Sequence, residues 1–337
     1  MYNIYKVGVI IRHGMKITRK RAKKLLKVLE EEKEKIRKEN EEKGDDYPYG
    51  KWERERKEIV ERLQELPDLV EEAASKIEVE RPNRGRKQKL DPAQKTMLFL
   101  FARLTEKSNR DMEAILSLLG PVFDVNVSYK TIERLYSDEE VKMVLHNLFL
   151  LLLDKADVSG DCSGDGTGYS LQAGKHYRSE SKTEGKKYRY VFRLLDLETG
   201  MYIGYGYSHK SEKEAFEKAV KFVKKHDISL NKVRLDKYYS TRKDLEKLGE
   251  DVEALVLPKK NISNFGHRWH RIFNKIKDDP YGFLKDYFKR ELSETFFGAD
   301  KERFGRKISQ KREDRRETAS FATAILHNLF TIRLPPP

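Results

Sequence analysis

The stretch DYFKRELSETFFGADKERFG, residues 286–305, combines dense charge with the rings of Tyr287, Phe288, Phe296, Phe297 and Phe304. Read as one helix, Tyr287, Arg290, Glu294 and Lys301 fall at about 0°, 300°, 340° and 320°, an arc of roughly 60°. One narrow face then presents a phenol, a guanidinium, a carboxylate and an ammonium. Arg forks a phosphate and Lys places a point charge on one. A carboxylate between them holds a metal without repelling an anionic substrate. The chemistry that uses this set is phosphoryl transfer. The same spacing also fits a salt-bridged solvent face with i,i+4 pairs, and Gly298 is a candidate interruption before Lys301. Phe288 and Phe296 lie off that face, where they can pack against a sheet.

Two further acids stand out by position. Asp165 sits in SGDGTGYS, where a strand runs out into Gly-rich chain, and Asp236 sits in VRLDKYYS, at the end of an alternating strand. Carboxylates at strand ends suit hard divalent cations, which take oxygen ligands. Two such cations, Mg²⁺ or Mn²⁺, clamp the attacking and leaving oxygens of an in-line displacement. Taken singly, an Asp at a strand end also serves as a turn or cap residue. Asp161, four residues before Asp165, shares its face if the strand continues, so it is an alternative or an assistant. Gly164 and Gly166 let backbone approach a metal or phosphate closely around Asp165. Glu291 is the neighbouring acid to Glu294.

The elements that must hold these residues are legible from periodicity. ADVSGDCSGDGTGYS, residues 156–170, then KYRYVFRLLDLETGMYIGYGYS with a turn at Glu198-Thr199-Gly200, predict three strands. EKEAFEKAVKFVKKHD predicts an amphipathic helix, KVRLDKYYS a short strand, TRKDLEKLGE a helix and VEALVLPKK another strand. The order β-β-β-α-β-α-β-α describes a mixed-sheet α/β domain over 153–332. Upstream, residues 92–152 read as helices. Ser108 is an N-cap with Asp111 in the first turn, Gly120-Pro121 stops that helix, and Ser128 caps the next. That cadence fits a helix-turn-helix-like DNA-binding domain or a plain three-helix bundle. In the first case Ser128, Tyr129, Lys130 and Thr131 lead the groove helix, with Arg134 one turn on. Residues 81–91 form a basic linker in which Arg84, Arg86 and Lys87 can lie along phosphates. Residues 1–80 read as charged helices with narrow apolar stripes (Leu25, Leu26, Leu29 and Ile36, then Ile59, Leu63 and Leu66), broken at 44–50.

The composition bounds the partners. The 337 residues carry 70 Lys and Arg against 56 Asp and Glu, a net charge of +14, and mean hydropathy is −0.79. Lys/Glu enrichment by itself marks proteins from hot environments, but an unbalanced excess of base favours a polyanion, most often nucleic acid. A single cysteine, Cys162, excludes an intrachain disulfide framework and a Cys-rich zinc site, and points to reducing cytoplasm. MVLHNLFLLLLDK and MLFLFARL are too short to span a bilayer, the first residues lack the order of a secretory signal, and no repeat is present. The expectation is two or three domains, no membrane and a cytoplasmic location.

The motifs resemble those of a large group of insertion-sequence transposases with a DDE catalytic triad, whose signature is Tyr-x2-Arg-x3-Glu-x6-Lys. Tyr287, Arg290, Glu294 and Lys301 match it with no change of spacing. DGTGYS resembles the first-acid motif, at Asp165, and LDKYYS the second, at Asp236. HYRS at 176–179 and ATAILHNLF at 322–330 are similar too. The resemblance implies a ribonuclease-H-like five-stranded mixed sheet with flanking helices, with Asp165 on the first strand, Asp236 after the fourth and Glu294 on the helix after the fifth. It also implies two Mg²⁺ ions, replaceable by Mn²⁺, held by Asp165, Asp236 and Glu294. Implied partners are double-stranded DNA, as terminal inverted repeats and as target, and a second copy in a homodimeric active complex. The insertion before the Glu helix, about 258–284, is short. Trp269 in it is either a base-stacking aromatic or a core residue. A nuclease of the same fold without strand transfer, and a DNA-binding protein without catalysis, would share parts of this pattern.

Overall fold

The structure is a computed structural model that describes residues 18–41, 49–78, 88–123, 126–171, 188–260 and 266–332. Arg84, Arg86 and Lys87 of the basic linker lie outside the described residues, as does the 176–179 motif. Helices come first: α1 (Arg19–Glu41), α2 (Tyr49–Gln64), α3 (Leu66–Ser75), α4 (Pro92–Thr105), α5 (Asn109–Phe123), α6 (Tyr129–Leu135) and α7 (Glu139–Ala156). Strands β1 (Asp161–Leu171), β2 (Tyr188–Asp196) and β3 (Tyr202–Ser208) follow, then α8 (Glu212–Lys225), β4 (Lys232–Leu235), α9 (Arg242–Glu246) and β5 (Glu253–Val256). The chain continues through α10 (His267–Asp278), α11 (Pro280–Phe288), α12 (Glu291–Phe304), β6 (Lys307–Ile308) and α13 (Glu313–Thr331). The mixed sheet has the order β3-β2-β1-β4-β5, with β6 beside β1. Sequence reading predicts five strands; the sixth has two residues, too few to carry a period. The expected stop at Gly120-Pro121 also moves, since α5 runs on to Phe123. A proline so close to a helix end removes only one ladder bond.

The chain divides into two compact bodies. The first gathers residues 18–41, 161–165 and 230–293 of the described chain. Its strands are parallel: Asp161 to Gly164 of β1 pair with Lys232 to Leu235 of β4, which pair with Glu253 to Val256 of β5. Cys162, Val233, Leu235 and Val256 are fully buried, as in parallel strands covered on both faces. Helix α10 adds Ile272, Phe273 and Trp269, whose indole N–H donates to the Ser240 carbonyl at 3.1 Å. Of the two readings of Trp269, the core one describes this structure. Helix α1 lays Leu25, Leu29 and Ile36 inward, and its Glu39 accepts a 2.6 Å hydrogen bond from Tyr281 of α11.

The second body holds residues 49–160, 166–229 and 294–332 of the described chain. Here β2 and β3 form an antiparallel hairpin, turned by Gly200 at φ +73°. Helix α8 crosses it at Gly206, where a Cβ would stand 1.9 Å from the Ala215 carbonyl oxygen. Only glycine permits so close a passage. The chain ATAILHNLF supplies two polar anchors of α13. Asn328 accepts from the Tyr202 N–H at 2.8 Å and donates to the Tyr202 carbonyl at 2.9 Å. His327 places one ring nitrogen 2.7 Å from Asp300 and the other 2.9 Å from the Gly200 carbonyl.

Asp300 is the hub. It also takes Arg193 Nη1 and the Tyr202 hydroxyl, each at 2.8 Å, with Arg193 and Asp300 both essentially excluded from water. Burial works against its charge, but His327 and Arg193 hold the carboxyl below the usual range. At the start of α13, hydrogen bonds from Arg189 outweigh partial burial and pull Glu313 down to about 2, with the Tyr207 hydroxyl assisting at 2.8 Å.

Asp300→Ala leaves Arg193 buried without its counter-charge and is expected to cost about 3–5 kcal/mol, read as a lower urea midpoint at unchanged slope. Glu313 has a folded pKa below its ordinary 4.5, so its contribution is complete above that pH and is lost as pH falls toward about 2. Glu313→Gln is therefore expected to flatten the acid limb of a Tm-versus-pH curve in that window.

Candidate active site

In the first body the parallel register of β1 and β4 closes at Gly164↔Leu235. The next residue on each strand is an aspartate, Asp165 and Asp236. Parallel strands lie roughly 4.8 Å apart, so the two aspartates occupy neighbouring chain positions at one end of the sheet. Both are partly exposed. Asp236 leaves the strand and accepts the Tyr238 N–H at 2.7 Å, capping a 3₁₀ turn with one oxygen. It is thus a cap residue as well, and its second oxygen makes no hydrogen bond among the described residues.

Tyr287 and Arg290 complete this end. Arg290 Nη1 lies 4.0 Å from Asp165 Oδ2, and its guanidinium sits 5.9 Å from the Tyr287 ring centre. Burial raises the Tyr287 phenol to about 12; Arg290 opposes that shift, and the charges of Asp236 and Asp165 add to it. Two carboxylates, a guanidinium and a neutral phenol therefore share one electrostatic neighbourhood.

The single helix assumed from the sequence is broken between Tyr287 and Glu294. Helix α11 ends at Phe288 and α12 begins at Glu291. Between them the N–H groups of Arg290, Leu292 and Ser293 bond three residues back, to Tyr287, Lys289 and Arg290, at 3.0–3.2 Å. The cause is Arg234 of β4, a fully buried guanidinium. Its Nε takes the Asp286 carbonyl at 2.8 Å, the acceptor an α-helix would offer to the Arg290 N–H. Arg234 also grips the Asp286 carboxylate. Despite burial, Arg234 and Lys232 hold that carboxyl below its ordinary range. Ser163 of β1 then donates to the Arg290 carbonyl at 3.3 Å and accepts from Ser293 at 2.6 Å. Gly298, the interruption considered from sequence, lies inside an unbroken α12 with nothing within 4 Å of its Cβ direction.

The same guanidinium disposes of Asp161, whose carboxylate it binds at 2.5 and 3.3 Å. Asp161 is therefore a structural anion. Arg234, Asp286, Ser163 and Ser293 were not singled out by sequence, because their signal is a contact across more than 50 residues.

Glu294 and Lys301 belong to the second body. Glu294 is exposed on α12, as is Glu291 on the same helix. Lys301 Nζ donates to Thr167 Oγ1 at 2.5 Å and lies 5.6 Å from the Tyr169 ring centre. Thr167 and Tyr169 are the third and fifth residues of the DGTGY run, so the lysine of one motif is tied to the other. In the helical region Ser128 caps α6, whose Ile132 and Leu135 face inward. Lys130 and Arg134 are exposed, and Arg110 lies 5.5 Å from the ring centre of Tyr129. With seven residues, α6 has about two turns.

Among the described residues no three His, Cys, Asp or Glu side chains gather as a ready metal site. The adjacent Asp165 and Asp236 nevertheless form an all-oxygen donor pair, the type a hard divalent cation takes. No helix among the described residues is long and apolar enough to cross a membrane.

No family profile matches the chain. A probable transposase for insertion sequence element ISA1214, from Archaeoglobus fulgidus, is 54% identical over 321 residues, covering 95% of this chain and 98% of that protein. The chain belongs to the insertion-sequence transposases. Among solved structures, piggyBac transposase in a synaptic complex with hairpin DNA superposes with a TM-score of 0.45 at 8% identity, over 78% of this chain and 70% of that one.

Arg234→Met is expected to cost about 3 kcal/mol, the lower end for removing one partner of a buried ion pair, because Asp161 stays partly solvated. Amide exchange over 289–293 should change with it, since the Asp286 carbonyl becomes available to the Arg290 N–H.

Proposed function

We propose that this transposase is a DDE enzyme on a ribonuclease-H-like sheet, which cleaves DNA at the ends of its element and joins the freed 3′-OH to target DNA. The observation that carries the reading is the pairing of Asp165 with Asp236 beside Arg290 and Tyr287, in a chain of this family. The strand order β3-β2-β1-β4-β5, with one aspartate on β1 and the other just after β4, supports the same fold. Asp165, Asp236 and Glu294 would hold Mg²⁺, or Mn²⁺ in its place. When bound, such ions lower the pKa of water and offset charge on phosphoryl oxygens.

The chain's own residues do the rest. Arg290, fixed by the break between α11 and α12, forks a non-bridging phosphate oxygen. Lys301, held by Thr167, places a second positive charge on the backbone. Tyr287 stays protonated at neutral pH and donates a hydrogen bond rather than a charge. In cleavage, water adds to phosphorus, the P–O3′ bond breaks, and the 3′ oxygen leaves with a proton. In joining, that 3′-OH adds to a target phosphorus and displaces the target's own 3′ oxygen. No bond to the protein forms in either step. Ser128, Tyr129, Lys130 and Arg134 on the helical region, with Arg84, Arg86 and Lys87 of the linker, are the proposed contacts to the terminal inverted repeat. Two ends processed together call for a homodimer.

With a labelled duplex carrying an element end and Mg²⁺ present, Asp165→Asn, Asp236→Asn and Glu294→Gln are each expected to lower cleavage about a thousandfold or more, several kcal/mol of transition-state stabilisation. End binding should persist in all three, and Glu291→Gln should cleave normally. Unaltered cleavage by Asp236→Asn would sink the carboxylate site, and cleavage without any joined product would leave a nuclease.

A further inference from the structure

The second body holds a cleft that the residues above do not use. About 450 Å³ in volume, it opens between the α4–α5 turn and the segment 305–311 that follows α12. Five cations line it, Arg103, Lys107, Lys307, Lys311 and Arg315, against two acids, Glu106 and Glu133. Five less two leaves an excess of three positive charges. Arg315 is already committed to Glu133. Lys107, Lys307 and Lys311 make no ion pair among the described residues, although nearby cations do: Arg306 pairs with Glu302, Arg312 with Asp314 and Arg316 with Glu313. Three exposed lysines thus line one cleft without an ion-pair partner among the described residues. The remaining lining is mainly hydrogen-bonding, with Ser108, Asn109, Ser309 and Gln310.

The walls are built. Lys307 and Ile308 are pinned as β6 to Ser170 and Leu171 at the end of β1. Gly305, at φ +89°, lies against Glu106, whose carboxyl would collide with any Cβ there. The opposite wall includes Tyr136, buried at the end of α6, and Glu133 of α6 itself. The cleft is therefore continuous with the helix that carries Lys130 and Arg134.

We infer that this cleft binds the sugar–phosphate backbone of duplex DNA, with Lys107, Lys307 and Lys311 each neutralising one phosphate. Its chemistry suits this ligand: point charges on flexible stems and hydroxyl and amide donors read phosphates and sugars rather than base edges. The inference rests on the transposase reading, and it adds a sequence-independent grip beside the α6 contacts.

The test is the salt dependence of duplex binding by the full chain. Neutralising three phosphate contacts should make the slope of log Kobs against log[salt] shallower by about 2.7, at about 0.9 per phosphate. The triple variant Lys107→Gln/Lys307→Gln/Lys311→Gln is expected to show that change equally on an element end and on an unrelated duplex, with its melting temperature retained. Each single replacement should take about a third of it, which keeps the test readable if the triple variant misfolds. An unchanged slope overturns the inference, as does competition by inorganic phosphate alone at the concentration that titrates one site. Loss of self-association with an unchanged slope makes the cleft a protein contact and overturns it too. Wild-type cleavage in the same buffer separates the two readings: cleavage with an unchanged variant slope removes the cleft and leaves the transposase, whereas a wild type that neither binds nor cleaves DNA removes both.

Discussion

The first body depends on one buried guanidinium. Arg234 stands in the middle strand of the parallel trio with no exposure to water, where an uncompensated charge would be prohibitive. It is compensated on two sides, by Asp161 on β1 and by Asp286 on α11. Its Nε shares the Asp286 carbonyl with the Lys289 N–H, and the helix breaks there. The break points Arg290 at Asp165. A structural requirement of the sheet and the placement of Arg290 beside Asp165 are thus the same set of hydrogen bonds.

The second body makes a comparable arrangement around Asp300, which sits next to Lys301 in sequence. Arg193, Tyr202 and His327 converge on it from β2, β3 and α13. Buried polar networks of this sort fix a helix in rotation as well as position. Lys301 can reach Thr167 because Asp300 has set the azimuth of α12. Signature residues in each body are therefore held by neighbours that have no chemistry of their own to perform.

Much of this was legible in the sequence. Strand-like runs punctuated by glycine and turns located β1 to β5, and caps located the starts of α5 and α6, because these signals are local. The two aspartates were legible for the same reason: Val233 and Leu235 alternate up to Asp236, and Gly164 and Gly166 bracket Asp165. The helix carrying Tyr287, Arg290, Glu294 and Lys301 was misread as one cylinder because nothing near residue 289 is a helix breaker. What breaks it is Arg234, 52 residues earlier than its partner Asp286. Asp161 could not be told from Asp165 by strand parity, since both lie on one face; the neighbouring strand's arginine distinguishes them. β6 was invisible because two residues have no period.

Cys162, the chain's single cysteine, is fully buried in β1 between Asp161 and Ser163, three residues before Asp165. A maleimide or disulfide reagent therefore meets almost no thiol on the folded surface. A cysteine introduced at an exposed position such as Lys130 would take a fluorophore at one known place without any need to remove the native residue. The native thiol, in turn, is a slow clock: the rate at which it becomes modifiable measures how often the strand beneath the paired aspartates opens.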